Sequence, residues 1–165
     1  MFSVVTYPSD GLKQPCSVVS DFGQSLRTTI ASMAETMYAE KGVGLAAPQV
    51  GLQKRIIVMD HDAGLVDSLR ALINPVIIWS SDEKQFSQEG CLSIPGVTVN
   101  VERSVEVSVE YRDVMGQTRH TCFTGILARI VQHELDHLDG ILMLDRATPM
   151  ERKMALKNLS KMVEG

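Results

Sequence analysis

The motif His-Glu-Leu-Asp-His at residues 133–137 contains the side chains of this chain that are best suited to metal chemistry. On a helix, residues four apart share one face, so His133 and His137 could bind the same ion. Glu134 could then take a proton from a water molecule on that ion. The alternative is an amphipathic helix with two solvated histidines. Burial is favoured instead, because apolar residues surround the motif: Leu127, Ile130, Val131, Leu135 and Leu138.

Two known ways of completing such a zinc site are absent from the sequence. A metzincin peptidase would place a third histidine where this chain has Met143, and other zinc peptidases would place a glutamate near Lys157. The third ligand must therefore come from elsewhere in the chain. A metallopeptidase that cleaves peptide bonds is correspondingly disfavoured.

Cys91 is the best candidate for the third ligand. Gly90, Pro95 and Gly96 mark its surroundings as a loop or a strand end with exposed backbone. Two imidazoles and one thiolate leave one coordination position open for water, which is typical of a catalytic site. The alternative for Cys91 is an inert, buried residue, and this is what we expect of Cys16 and Cys122.

Apolar periodicity and capping signals predict the helices that position these groups. The predicted helices cover residues 21–38, residues 124–139 with the metal motif, and a last segment that begins near residue 149. For the first helix, Ser20 or Asp21 is the predicted N-cap and Gly42 the predicted stop. For the second, Thr124 is the N-cap and Gly140 the stop. The last helix is capped by Thr148, with Pro149 at its first position and Glu151 completing a capping box.

Strands are predicted in the middle of the chain. β-Branched residues are frequent at 55–59 and 72–79, and apolar residues at 105–111 alternate with polar neighbours. The turn-forming residues 113–116 should join this last strand to residues 117–124 in a hairpin. Helices that flank mostly antiparallel strands indicate an α+β fold, in which the strands pack around a central metal-binding helix.

The composition favours one domain over residues 1–165, because 44% hydrophobic residues suffice for a single core. The net charge is −4 and the basic residues are scattered, which disfavours direct nucleic-acid binding. Neither a secretory signal nor a run of about 18 apolar residues is present, so we expect no membrane association. The three cysteines suit the reducing cytoplasm, where we expect the protein to act as a monomer.

Three segments together resemble the motifs of the peptide deformylase family, of bacterial type, and occur in the family's order. They read Gly-Val-Gly-Leu-Ala-Ala-Pro-Gln at 42–49, Glu-Gly-Cys-Leu-Ser at 89–93 and Gln-His-Glu-Leu-Asp-His-Leu-Asp-Gly at 132–140. Tyr7, Pro8 and Leu12 are similar to the family's start, so the resemblance covers nearly the whole chain. It implies metal-dependent hydrolysis of the N-formyl group from the formyl-methionine of nascent polypeptides, with release of formate.

The resemblance also implies the roles of residues in these motifs. The metal would be one Fe(II) ion, which zinc, nickel or cobalt can replace. A metal-bound water or hydroxide would attack the formyl carbon, with Glu134 as general base and then general acid. The side chain of Gln49 and the backbone N–H of Leu92 would stabilise the oxyanion. The implied metal ligands are Cys91, His133 and His137.

The substrate peptide should pair along a strand edge, with its methionine side chain in an apolar pocket. Arg129 stands where the resemblance implies an aliphatic residue. Its stem could line the pocket with the guanidinium in water, which would leave specificity intact, or the side chain could narrow or polarise the pocket. We predict a modest change in first-residue preference. Thr98 replaces a peptide-contacting arginine of some relatives, which predicts weaker substrate binding. The implied substrate-binding residues are Val43, Gly44, Gly90, Ile126, Arg129 and Ile130.

Further expectations concern contacts beyond the reacting groups. Glu89 and Arg103 resemble an internal ion pair that braces the cysteine loop in the family, although two solvated charges are the alternative. A silent binding protein is the competing function from another class, which the intact reacting residues disfavour. Docking near the ribosomal exit tunnel stays open, since basic residues of the last helix could contribute, but a solvated face is the simpler interpretation for Arg152, Lys153, Lys157 and Lys161.

Overall fold

The computed structural model describes residues 1–62 and 68–164 and shows the predicted α+β architecture, in which helices accompany two antiparallel sheets. The strands are β1 Gly44–Ala46, β2 Ile56–Met59, β3 Arg70–Ser80, β4 Lys84–Cys91, β5 Ile94–Ser104, β6 Glu106–Arg112 and β7 Thr118–Thr124. The helices are α1 Gln24–Ala39, α2 Gly125–Leu138, α3 Met143–Arg146 and α4 Pro149–Glu164, with short 3-10 turns at Asp10–Lys13 and Ala47–Val50. No helix in these described ranges combines the length and apolarity needed to cross a bilayer.

The larger sheet has the strand order β1-β2-β3-β6-β7, and every neighbouring pair in it is antiparallel. Strands β6 and β7 form the predicted hairpin, which turns at residues 113–116. Its register places Val107 opposite Phe123, and both side chains are buried. Strands β4 and β5 form a separate two-stranded sheet, and Cys91 is the last residue of β4.

Strand β2 explains how the larger sheet holds a helix on each face. All four of its residues are buried. Ile57 and Met59 pack in the same apolar cluster as α2, whereas Ile56 and Val58 pack with α1. Successive side chains of a strand point to opposite faces, so a continuous apolar run is what a doubly covered strand requires.

Helix α2 is buried over much of its surface, as its composition indicates. Ala128, Val131 and Leu138 are fully buried against the larger sheet. The two motif histidines are also buried, with exposed fractions of 8% for His133 and 1% for His137. The alternative of two solvated histidines is therefore wrong.

The predicted helix ends needed three corrections. Thr124 occupies the cap position of α2, but its side chain makes no capping hydrogen bond. Helix α1 begins at Gln24 rather than directly after Asp21, because the Asp21 carboxylate accepts a hydrogen bond from the N–H of Gly23, which is the cap. At α4, Thr148 accepts from the N–H of Glu151 as predicted. The capping box is nevertheless incomplete, because the Glu151 carboxylate accepts instead from the backbone N–H of Asn100 on β5.

Gly140 ends α2 where no side chain fits. Its φ is +74°, and a Cβ atom built there would lie 2.4 Å from the carbonyl oxygen of Lys13. The end of the helix is also fixed to this N-terminal segment by a hydrogen bond of 3.0 Å from the N–H of Cys16 to the carbonyl of Leu138. The close approach and the positive φ together require glycine.

We expect Gly140→Ala to lower the free energy of unfolding by at least about 3 kcal/mol, because the left-handed conformation and the backbone clash both add strain. Chemical denaturation would measure the loss. The matched control is Gly51→Ala, since Gly51 has a φ of +84° but its Cβ would meet nothing within 4 Å. An equal loss of unfolding free energy in both variants would show that the close contact with Lys13 does not contribute to the effect.

Candidate metal centre and active site

Cys91, His133 and His137 converge although they come from two separate elements, the end of β4 and helix α2. One ligand atom from each lies within 4.8 Å of the others. The Sγ atom of Cys91 is 3.3 Å from Nε2 of His137. Bonds of about 2.3 Å to sulfur and 2.0 Å to nitrogen at a tetrahedral angle separate such atoms by roughly 3.5 Å, so the donor set fits one ion.

The two imidazoles are held differently. Nδ1 of His133 lies 2.8 Å from Oε1 of Glu89, which leaves Nε2 free to face an ion. Nδ1 of His137 is buried and has no hydrogen-bond partner within the described ranges. The orientation of His133 is therefore fixed by a charged partner, whereas that of His137 depends on packing.

Glu89 forms the predicted ion pair with Arg103. Nε of Arg103 lies 2.9 Å from Oε2, and Nη2 lies 2.9 Å from Oε1. Both side chains are buried, so the alternative of two solvated charges is wrong. Burial alone would raise the pKa of Glu89, but the hydrogen bonds from His133 and Arg103 outweigh it and lower the pKa to about 2. The carboxylate is thus charged at neutral pH.

Arg129 does not place its guanidinium in water. The side chain is only 12% exposed, and Nη1 lies 2.6 Å from Oε2 of Glu89. Nη1 also donates to the carbonyl of Val101 at 2.9 Å, and Nη2 to that of Gln85 at 2.6 Å. The alternative with the guanidinium in water is wrong, because a buried carboxylate and two strand carbonyls provide acceptors that the guanidinium reaches. The charge thus has partners on the protein.

Gln49 is oriented toward the metal centre by its own amide oxygen. That oxygen accepts a hydrogen bond of 2.9 Å from the N–H of Ala46, so the NH₂ group points the other way. Nε2 lies 3.2 Å from Oγ of Ser93 and 3.5 Å from Sγ of Cys91. Leu92 follows Cys91 directly and lines the same cavity. An amide donor is therefore available beside the candidate ligands.

Glu134 is buried beside the ligands with an uncommitted oxygen. Its Oε1 atom has no hydrogen-bond partner in the part of the chain that is described. Burial raises the pKa of its carboxyl to about 7. The backbone of Gly44 approaches the other oxygen so closely that a Cβ there would lie 2.7 Å from Oε2. Its uncommitted oxygen is available to accept a proton inside the site.

A cavity of about 570 Å³ opens over these groups. Gln49, Glu134, Cys91 and His133 line its polar side. All the predicted substrate-binding residues line it as well, namely Val43, Gly44, Gly90, Ile126, Arg129 and Ile130. Thr98 lies opposite Gly90 in the β4 and β5 pair, outside this lining set.

Sequence patterns missed two contributors to the site. Ser93 holds the amide of Gln49, and Asp136 binds Arg103 from the far side. Asp136 lies three residues after His133, so its position inside the motif was a usable signal for a shared helix face.

The other cysteines differ from each other. Cys16 is half-buried, and burial raises the pKa of its thiol to about 11, as an inert residue requires. Cys122 is exposed rather than buried, because Phe123 faces the core and the preceding side chain therefore lies on the opposite face of β7, beside Glu106. The prediction of a buried Cys122 is therefore wrong.

Comparisons with known proteins agree with this geometry. The sequence model of the polypeptide deformylase family matches residues 1–153. Peptide deformylase of Thermotoga neapolitana is 43% identical over 159 residues, which cover 96% of this chain and 94% of that protein. The enzyme of Fusobacterium nucleatum is 41% identical over 162 residues, with coverages of 97% and 91%.

Solved structures give the same result. A crystal structure of the Plasmodium falciparum peptide deformylase has a TM-score of 0.93 and 37% identity, covering 98% of this chain and 95% of that one. The Synechococcus elongatus enzyme in complex with actinonin has a TM-score of 0.92 and 42% identity, with coverages of 95% and 86%. The chain therefore belongs to the peptide deformylase family, the metal-dependent hydrolases that remove the formyl group from the N-terminal methionine of new polypeptides.

Proposed function

We propose that Cys91, His133 and His137 bind one Fe(II) ion in this deformylase, and that Glu134 moves the protons of the reaction. The observation that carries this proposal is the position of the Glu134 carboxylate. It is buried, its Oε1 is uncommitted, and it lines the same cavity as two of the three ligands. The choice of Fe(II) is supported by the family resemblance, because these donors also suit zinc, nickel and cobalt.

When bound, a divalent ion would polarise the formyl carbonyl and lower the pKa of a water molecule toward about 7. Glu134 accepts the proton of the attacking water at Oε1. The same carboxyl then passes that proton to the departing amine, which leaves as the free N-terminus. Burial of the Glu134 carboxyl raises its pKa and so opposes the lowering that a bound ion would cause, which keeps the group able to take and return a proton.

The side-chain NH₂ group of Gln49 and the backbone N–H of Leu92 stabilise the tetrahedral oxyanion by donating hydrogen bonds to it. The hydrogen bond from Ala46 directs the NH₂ group of Gln49 toward the metal centre before substrate arrives. A preorganised donor of this kind contributes about 3 kcal/mol to transition-state stabilisation.

The methionine side chain of the substrate fits the apolar wall of the cavity. Val43 and Ile126 are partly exposed there, with exposed fractions of 43% and 49%, and Ile130 lies deeper. Since the guanidinium of Arg129 is bound to Glu89, its methylene stem is what remains for the pocket. Formyl-methionine and formyl-norleucine peptides should then both be substrates.

The proposal also covers where the enzyme acts and which partners it meets. We place the enzyme in the cytoplasm as a monomer that meets nascent chains. Arg152 is committed within the chain, because Nε and Nη2 donate to the carbonyls of Leu144 and Asp145. Only three exposed basic residues of α4 are then available for the ribosome: Lys153, Lys157 and Lys161.

The proposal is tested by stripping the protein of metal and reloading it under nitrogen with Fe(II), Zn(II), Ni(II) or Co(II). We expect formate release from a formyl-Met tripeptide to be fastest with Fe(II) and absent without metal. A rate with Zn(II) equal to that with Fe(II) would contradict the choice of iron. Folded, metal-loaded protein that releases no formate with any ion would indicate a silent binding protein.

A further inference from the structure

The carboxylate of Glu89 has all of its acceptor positions filled. A carboxylate offers about four lone-pair positions, two on each oxygen. Oε2 accepts from Nε of Arg103 at 2.9 Å and from Nη1 of Arg129 at 2.6 Å. Oε1 accepts from Nη2 of Arg103 at 2.9 Å and lies 2.8 Å from Nδ1 of His133. The guanidinium groups thus take three positions and leave one, which faces His133.

This count determines which nitrogen of His133 is left for the ion. The remaining acceptor position on Oε1 needs a donor, so Nδ1 carries the hydrogen and the lone pair is on Nε2. Rotation of the carboxylate would break the paired bonds with Arg103 and the bond with Arg129 together. Glu89 therefore has one orientation, and so does the imidazole that it holds.

Arg129 is fixed at its backbone, which is part of α2, and at its guanidinium group. It lies on α2 one turn before His133, and its guanidinium also binds the carbonyls of Val101 on β5 and Gln85 on β4. Arg103 approaches Glu89 from β5 and is held in turn by Asp136 of α2. The carboxylate is thus fixed by one arginine from the helix and another from the strand.

We propose that Arg129 is a positioning residue of the metal centre, which holds the Glu89 carboxylate so that Nε2 of His133 stays directed at the ion. This rests on the proposed ligand set. Without Arg129, Oε2 loses one donor and the carboxylate can tilt about the bonds with Arg103. The imidazole then follows, and the ion is released faster.

The test measures release of Co(II) from loaded protein into an excess of chelator by stopped-flow absorbance. We expect Arg129→Leu to release the ion at least about 10-fold faster than the wild type, the usual effect of losing a residue that supports a ligand. The matched control is Arg55→Leu, because Arg55 is also largely buried and binds α2 at Leu138 and Asp139 without touching Glu89. An unchanged release rate in Arg129→Leu would overturn the proposal.

A double-mutant cycle with Glu89→Gln separates positioning from a merely structural role. If Arg129 acts through Glu89, Arg129→Leu adds little to the release rate once Glu89 is replaced. The same fold-change in both backgrounds would show that Arg129 only ties α2 to β4 and β5, and would overturn the proposal. If Arg129→Leu fails to fold, Arg129→Lys replaces it in the cycle, because a single ammonium group cannot bind Glu89 and the carbonyls of Val101 and Gln85 at once.

Two further measurements complete the design. In the Co(II) protein, the exchangeable Nδ1 proton of His133 gives a paramagnetically shifted NMR signal, which should broaden in Arg129→Leu but not in Arg55→Leu. A persistently sharp signal in Arg129→Leu would contradict the proposal.

Cys91→Ser tests the underlying ligand set, because unaltered Co(II) binding in that variant would refute the metal site itself rather than the role of Arg129.

Discussion

Glu134→Gln should lower kcat for formate release by about 10³-fold while the metal content stays unchanged. Glutamine keeps the shape of the side chain but cannot accept the proton of the attacking water. The buried Oε1 atom of Glu134 has no hydrogen-bond partner in the described ranges, so in the wild type it is available to accept that proton. Steady-state kinetics and metal analysis of the same sample would give both quantities.

The pH profile supplies a second readout for the role of Glu134. Once protonated, the carboxyl can no longer accept a proton, so the wild-type rate should fall as the pH drops through the pKa of Glu134. The positive charge of a bound ion would lower that pKa from the value of about 7 that burial produces. Glu83→Gln, at an exposed position, is the control. A Glu134→Gln enzyme with a wild-type rate would remove Glu134 from the mechanism.

Gly44→Ala should lower kcat by about 10²-fold, because a shift of the base by 1 Å has an effect of this size. The new Cβ would lie 2.7 Å from Oε2 of Glu134 and 2.9 Å from Cγ2 of Ile130, so the carboxylate must move. Gly11→Ala is the control, since the nearest atom to a Cβ there is the side-chain nitrogen of Gln53 at an ordinary 3.4 Å. Steady-state formate release would measure both variants.

Combining Gly44→Ala with Glu134→Gln identifies the cause of the loss. If the alanine acts by displacing Glu134, it should cost nothing further once the carboxylate is gone. An additional loss of the same size would show that Gly44 acts on substrate binding instead. Full activity of Gly44→Ala alone would mean that the chain near residue 44 can move away.

Local signals predicted much of the fold and the shared face of the two candidate histidine ligands. The alternation at 105–111 and the turn at 113–116 were sufficient for the β6 and β7 hairpin, because register and turn are encoded within one short segment. The spacing of His133 and His137 predicted a shared helix face for the same reason. Strand β4 was not predicted in the same way, since seven of its eight side chains are not buried and its sequence has no apolar alternation.

Contacts between distant segments are where the sequence was insufficient. The position of the Arg129 guanidinium depends on the Glu89 carboxylate and on the backbone carbonyls of Gln85 and Val101. These lie 40, 44 and 28 residues earlier in the chain. No periodic pattern in the sequence predicts a contact between segments so far apart. The same holds for Glu151, whose carboxylate accepts from the N–H of Asn100 on β5 instead of completing the local capping box.

If Cys91, His133 and His137 bind the ion as proposed, the division of these ligands between β4 and α2 would also give the ion a mechanical role. An ion held by Cys91 and both histidines cross-links a two-stranded sheet, which shares no strand with the larger one, to the central helix. By mass action, a ligand bound only by the folded chain adds about 4 kcal/mol of stability at a free concentration a thousandfold above its Kd. Oxidation of Cys91 would remove this cross-link together with catalysis. Supply of the metal in the cell would then control both the lifetime of the protein and its activity.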